Sequence, residues 1–158
     1  MSKPSDIRWL SPLEERAGRG LHSIQMRLDA EIGGRLAAES PLSYQDYIVL
    51  IELTDQPDGQ LRQFELVRDL GWEKSRLSHH VTRMASRGLV EKRQCPSDRR
   101  GAFVAITDEG RAAIDGAAPG HLEAVREVFI DRLTRDELEV FATVSERVLA
   151  ELDQPDRR

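Results

Sequence analysis

The sequence contains a single cysteine, Cys95, so the chain cannot form an internal disulfide framework. A lone thiol is typical of proteins from a reducing compartment, and we expect a cytoplasmic location. No apolar run approaches the roughly 18 residues that a bilayer span requires. The first residues, MSKPSDIRWLSP, lack the apolar core of a signal peptide. These absences argue against a membrane or secreted protein.

Catalytic and metal-binding signatures are also missing. The sequence has no glycine-rich phosphate loop and no nucleophile elbow, so we do not expect an enzyme. His79 and His80 are adjacent and would point about 100° apart on a helix, while His22 and His121 lie far away in sequence. Because no Cys/His cluster has zinc spacing, we expect neither a metal nor any other cofactor.

What the sequence does have is charge, and the charge is unevenly distributed. The 158 residues suffice for one domain, with 39% hydrophobic and 32% charged residues and a net charge of −5. Residues 60–101 carry ten Lys/Arg against five Asp/Glu, a net of +5, so the remainder carries −10. A basic patch on an acidic body is typical of a nucleic-acid-binding protein, although a solvated charged surface is the alternative.

The two ends of the chain predict long amphipathic helices. Ser11, Pro12 and Glu14 form the start signal of the first helix. Its apolar stripe is longer than one small domain can cover and suggests a partner surface. Thr107 should cap a helix that runs towards residue 133, with a kink or break at Pro119–Gly120. The last helix begins at Thr134. The two stripes are Leu13, Ala17, Leu21, Ile24, Leu28, Ile32 and Leu36, and Leu138, Phe141, Val144, Val148 and Leu152.

The middle of the chain predicts a compact lobe. Ser43 and Asp46 form a capping box that opens the second helix. Gly71 should end a short helix, and the following helix has an inner face of Leu77, Val81 and Met84. The other predicted elements are a short strand at 60–62, a helix at 64–70, a helix at 74–87, strands at 89–93 and 102–106, and a seven-residue basic loop at 95–101.

This order predicts a winged helix-turn-helix, which is a mostly α (α+β) fold. An α-helix fits the major groove of B-DNA, where the base edges differ. A hairpin beside it can place an arginine in the adjacent minor groove.

The lobe resembles the MarR family of winged helix-turn-helix transcription regulators. The resemblance is carried by LGWEKSRLSHHVTRMASRGLVEKR and by DRRGAFVAITDEG, and it spans roughly residues 11–152. It implies a single domain over 1–158, dimerisation helices at about 11–39 and 108–152, and a winged lobe at about 43–106. It further implies a homodimer on a pseudo-palindromic operator of double-stranded DNA, acting as a repressor that a small ligand releases.

The resemblance also implies which residues meet DNA. Arg100 would enter the minor groove, Asp98 would orient Arg100 through a charge-assisted hydrogen bond, and Arg99 would meet phosphate. The residues that would face DNA from the recognition helix are Ser75, Arg76, Ser78, His79, Thr82 and Arg83.

An effector pocket is implied next to the second helix, where a tyrosine could bind a phenolic or aromatic acid. Tyr44 and Tyr47 are the candidates, with Trp9 and His22 as further ones. The alternative is that both tyrosines pack in the core. Trp72 is expected to pack in the turn of the helix-turn-helix.

Two other functions remain open at this stage. Cationic neighbours could activate Cys95 as the thiol of a redox-sensing regulator. A winged helix can also serve as a protein-interaction module without affinity for DNA, although the basic segment between Lys74 and Arg100 argues against this reading.

Overall fold

The computed structural model describes residues 7–95 and 98–153, apart from the side chains of residues 95–100. The described elements are mostly helical with one small sheet, which confirms the predicted fold class. In chain order they are α1 (Pro12–Glu39), α2 (Tyr44–Thr54), β1 (Gln60–Arg62), α3 (Gln63–Leu70), α4 (Lys74–Ser86), β2 (Val90–Cys95), β3 (Asp98–Ile106), α5 (Asp108–Val128), a 3-10 turn (Ile130–Arg132) and α6 (Arg135–Leu152).

The predicted helix starts are confirmed by complete capping boxes. At α1 the Ser11 hydroxyl accepts a hydrogen bond from the Glu14 N–H, and the Glu14 carboxylate accepts one from the Ser11 N–H at 2.7 Å. The same reciprocal pairs open α2 and α6. A side-chain cap of this kind stabilises a helix by about 1 kcal/mol, so the local sequence sets where these helices begin.

The sheet has the antiparallel order β1-β3-β2, with Leu61 opposite Val104 and Val90 opposite Ile106. Its β2–β3 hairpin forms the wing. The strands run further towards the tip than predicted, because β2 continues to Cys95 and β3 already begins at Asp98. The expected seven-residue loop is therefore wrong. Residues other than proline keep both backbone hydrogen-bonding groups whatever their side chain, so the turn formers Asp98 and Gly101 could still join β3.

The long helix before α6 also differs from expectation. α5 passes through Pro119 without a break and ends at Val128, short of the predicted residue 133. An interior proline costs about 3 kcal/mol, but Ala117 and Ala124 on either side of it are buried. Packing of both flanks therefore holds α5 together as one helix.

The core lies in the lobe, where α4 packs its predicted inner face against α2, α3 and the sheet. Leu77, Val81 and Met84 have no exposed surface, and each such burial contributes roughly 1.5–3 kcal/mol. Gly71 adopts φ 63°, a left-handed conformation that favours glycine and lets α4 follow α3 closely. None of the described helices has the length and apolar character needed to cross a membrane.

Candidate nucleic-acid interface

The outer face of α4 carries the predicted recognition residues. They lie opposite the buried face of Leu77, Val81 and Met84, so the amphipathic character of the helix separates core from surface. Five of the six predicted α4 residues are exposed and one, Ser78, is half-buried. The exposed ones are Ser75, Arg76, His79, Thr82 and Arg83.

Arg76 is oriented by an aromatic neighbour. Its guanidinium carbon lies 4.4 Å from the centre of the Trp72 ring, a cation–π contact worth about 0.5–1 kcal/mol at an exposed site. Trp72 itself packs on the core and meets His80 edge-on at 5.4 Å. The prediction that Trp72 packs in the turn is confirmed, and this packing places Arg76 at the start of α4.

A lysine of the wing extends the basic surface of α4. Thr82 donates a hydrogen bond to the Ser78 carbonyl at 2.8 Å and accepts one from the Lys92 ammonium at 2.7 Å. Lys92 lies on β2, so this bond joins the wing to α4. Sequence analysis did not select Lys92, because only the fold brings β2 alongside α4.

Beneath this surface lies a buried carboxylate, that of Asp46, which is 1% exposed. One of its oxygens accepts hydrogen bonds from the Ser43 N–H at 2.9 Å and from Arg87 at 2.7 Å. The other lies 3.0 Å from the Nε2 of His80, as a close contact without the alignment of a hydrogen bond. Burial by itself raises the pKa of Asp46, but the contacts with His80, Arg87 and a backbone N–H hold that pKa well below its usual range.

The two adjacent histidines have different environments. His79 is exposed on the outer face of α4, whereas His80 is 8% exposed and its Nδ1 accepts a hydrogen bond from Arg83 at 3.0 Å. His80 therefore packs inside the lobe, whereas His79 faces solvent. Within the part of the chain that the structure describes, no three His, Cys, Asp or Glu side chains converge as a metal site would require.

Arg87 was missed by sequence analysis. It caps the end of α4, and it donates a second hydrogen bond to the Pro41 carbonyl at 2.7 Å, between α1 and α2. Its neighbours enclose an open cleft of about 600 Å³ whose lining includes Arg76, Arg83 and His80. No sequence signal pointed to this cleft, because Asp46 was fully explained as a capping residue and its partner lies 41 positions away.

The wing residues are placed only through their backbones. Asp98, Arg99 and Arg100 lie in β3, and Cys95 ends β2 opposite Asp98. Their side chains lie outside the description, so the roles predicted for them remain predictions.

The four predicted ligand residues are not brought into one cavity. Trp9 is 82% exposed, and His22 is exposed on α1. Tyr44 donates a hydrogen bond to Asp29 at 3.4 Å beside a groove of about 360 Å³. Tyr47 is buried with its ring 4.2 Å from that of His121, which agrees with the core alternative for this tyrosine.

Comparison with known proteins supports this architecture. A family model described as "MarR family" matches residues 40–101. Transcriptional regulator HosA of Escherichia coli O111:H- is 31% identical over 108 residues, which cover 68% of this chain and 78% of HosA. The chain belongs to the MarR family. It is accordingly a DNA-binding transcriptional regulator, not an enzyme.

Solved structures of MarR-family regulators from Streptomyces coelicolor match over nearly the whole chain. Sco3205, determined in complex with DNA, has 34% identity and a TM-score of 0.84, with 94% of this chain and 96% of Sco3205 covered. AbsC has 32% identity and a TM-score of 0.83, with 92% of this chain and 98% of AbsC covered. The match extends beyond the winged lobe into the terminal helices.

Proposed function

We propose that this regulator is a repressor that binds a pseudo-palindromic operator as a homodimer. α4 enters the major groove, and the wing places Arg100 in the adjacent minor groove. The observation that carries the proposal is the two-faced α4, whose exposed polar and cationic side chains stand on a rigidly packed inner face. The complex of the related Sco3205 with DNA supports it.

The terminal helices support the proposed dimer. None of the residues of α6, all of which the structure describes, is buried in the single chain. The first half of α1 is likewise exposed. An apolar surface of this extent is typical of an interface. The exposed large apolar residues on these helices are Leu13, Leu21, Ile24, Met26, Val140, Phe141, Val144, Val148, Leu149 and Leu152.

Release from DNA would follow from a change in dimer geometry. Two recognition helices must lie about 34–36 Å apart to enter successive major grooves on one side of the duplex. A ligand that prefers a different spacing would lower operator affinity by its differential affinity for the two states.

The groove beside Tyr44 is the proposed effector site. The Asp29 carboxylate accepts the Tyr44 hydrogen bond there, and it would repel an anionic ligand. A phenol, which can donate to Asp29, therefore fits this groove better than a carboxylate does. Thermal-shift titration with phenol and with benzoate, on the wild type and on Tyr44→Phe, tests this preference.

The DNA proposal is tested by fluorescence anisotropy with a labelled duplex from the region upstream of the protein's own coding sequence. Specific binding should exceed binding to a scrambled duplex by about a thousandfold or more, with two chains per duplex. Equal affinity for both duplexes would refute an operator-specific regulator. Since the proposed partner is chromosomal DNA, we place its action in the cytoplasm.

No described residue favours the thiol alternative, and the side chain of Cys95 lies outside the description. Operator binding after peroxide treatment, with and without Cys95→Ser, separates a thiol switch from ligand control.

A further inference from the structure

We propose that Asp46 is a positioning residue for DNA binding, which from inside the lobe holds Arg87 so that its guanidinium meets a phosphate of the duplex. This inference rests on the proposed function. It adds one phosphate-binding residue, Arg87, and one residue that acts through it, Asp46.

Arg87 donates two hydrogen bonds within the lobe and still has N–H donors that are not used by them. One terminal nitrogen donates to Asp46 and the other to the Pro41 carbonyl, both at 2.7 Å. A guanidinium has five N–H donors, and the Arg87 side chain is still 42% exposed. The group is therefore fixed in place with donors left for a ligand at the surface.

Asp46 is itself held so firmly that it can act as a fixed support. The Ser43 N–H and Arg87 occupy one oxygen, and the ring of His80 lies against the other. Because Asp46 belongs to the first turn of α2, this support couples the start of α2 to the end of α4.

The surface above this support favours an anion. Arg76, Arg83 and Arg87 line one side of the cleft, and the N-terminus of α2 lines the other. Among the described residues that line the cleft, Asp46 is the single carboxylate, and it is 1% exposed. The mouth of the cleft is therefore cationic, and it adjoins the DNA-facing side of α4.

The direction in which one substitution changes DNA affinity distinguishes a positioning role of Asp46 from a purely electrostatic effect. Asp46→Asn preserves the shape and removes a negative charge near DNA, which by itself would raise DNA affinity. Positioning predicts the opposite. Operator affinity should fall about tenfold, because a charge-assisted hydrogen bond that orders Arg87 is lost.

The experiment measures operator affinity over a range of salt concentrations for the wild type, Asp46→Asn, Arg87→Gln and the double variant. Arg87→Gln should weaken binding about tenfold and reduce the salt slope by about one unit. The double variant should be no weaker than Arg87→Gln to within about twofold, since Asp46 acts through Arg87. Additive losses, or unchanged or tighter binding by Asp46→Asn, would overturn the inference.

Lost stability is controlled with Val49→Ala, which removes buried volume one turn further along α2 and leaves the Asp46 contacts intact. All variants are measured well below their Tm, where each is fully folded. Val49→Ala should bind like the wild type. If it lost affinity as Asp46→Asn does, general α2 packing would explain both losses and the positioning role would be rejected. Failure of the wild type to select its operator would instead reject the proposed function.

Discussion

The winged lobe and the terminal helices carry similar apolar stripes that differ in burial. On α4, Leu77 and Val81 are completely buried, whereas on α6 Phe141 remains 45% exposed and Val148 50% exposed. The stripes have the same spacing of three and four residues. The difference teaches that the lobe buries its own apolar faces, while α6 and the first half of α1 leave theirs exposed in the single chain, as the proposed dimer requires.

The largest expected effect comes from removing apolar side chains from α6, which tests whether its exposed face forms the dimer interface. Phe141 meets Phe129 edge-to-face with ring centres 5.2 Å apart, and Leu138 is half-buried nearby in sequence. Leu138→Ala combined with Phe141→Ala should weaken the dimer by at least a hundredfold, since truncating two interface anchors costs about 3 kcal/mol or more. Sedimentation velocity across a concentration series measures this.

The matched control is Phe64→Ala, which removes an exposed aromatic ring from the lobe. This variant should remain as dimeric as the wild type. A doubly substituted α6 that stayed dimeric at micromolar concentration would show that the interface lies elsewhere.

Removing the wing arginine tests whether the lobe, unlike the terminal helices, contributes directly to DNA affinity. Arg100→Ala should weaken operator binding about tenfold to a hundredfold and reduce the salt slope by about one unit, because a groove contact near the phosphates is lost. Anisotropy titrations at several salt concentrations measure both quantities. Arg68→Ala, on α3 and paired with Asp69, should leave both near wild-type values, and an unchanged slope in Arg100→Ala would count against the wing contact.

A smaller effect should distinguish side chains of α4 that recognise bases from side chains that only position the helix on DNA. His79→Asn should change the base preferred at one operator position by about 1–3 kcal/mol, since a side chain that contacts a base edge carries sequence information. Binding selection from a randomised operator library would reveal the change. A uniform loss across all sequences would mean that His79 only positions the helix.

The smallest effect concerns the junction between lobe and terminal helices. Burial lowers the pKa of His121, whose ring packs on Tyr47 and whose Nδ1 has no hydrogen-bond partner among the described residues. As pH falls through about 6.5, the unfolded chain takes up this proton first, so stability should fall. His121→Phe keeps a ring against Tyr47 and should flatten this part of the Tm-against-pH curve.

The matched control for this measurement is His22→Gln, which alters an exposed histidine of α1 and should leave the curve unchanged. An identical pH dependence in the wild type and His121→Phe would contradict a role for this histidine.

Local signals predicted most of the fold and part of the site. Ser11, Ser43 and Thr134 predicted three helix starts, because a capping box involves only residues three apart. The exposed face of α4 followed from helical periodicity. The wing loop was wrong because strand pairing outweighed a local preference for turning. At Pro119 the helix does not break, because packing of both flanks outweighs the local preference of proline for breaking.

The sequence by itself determined the order of helices and strands that predicts a winged helix-turn-helix, and which face of α4 would point outward, because both follow from patterns between near neighbours in the chain. Only the tertiary structure decided that Arg87 meets Asp46, that Lys92 meets Thr82 and that Tyr47 packs on His121. Each of these pairs joins residues on different elements, and their approach depends on how the elements pack, which no spacing along the chain specifies.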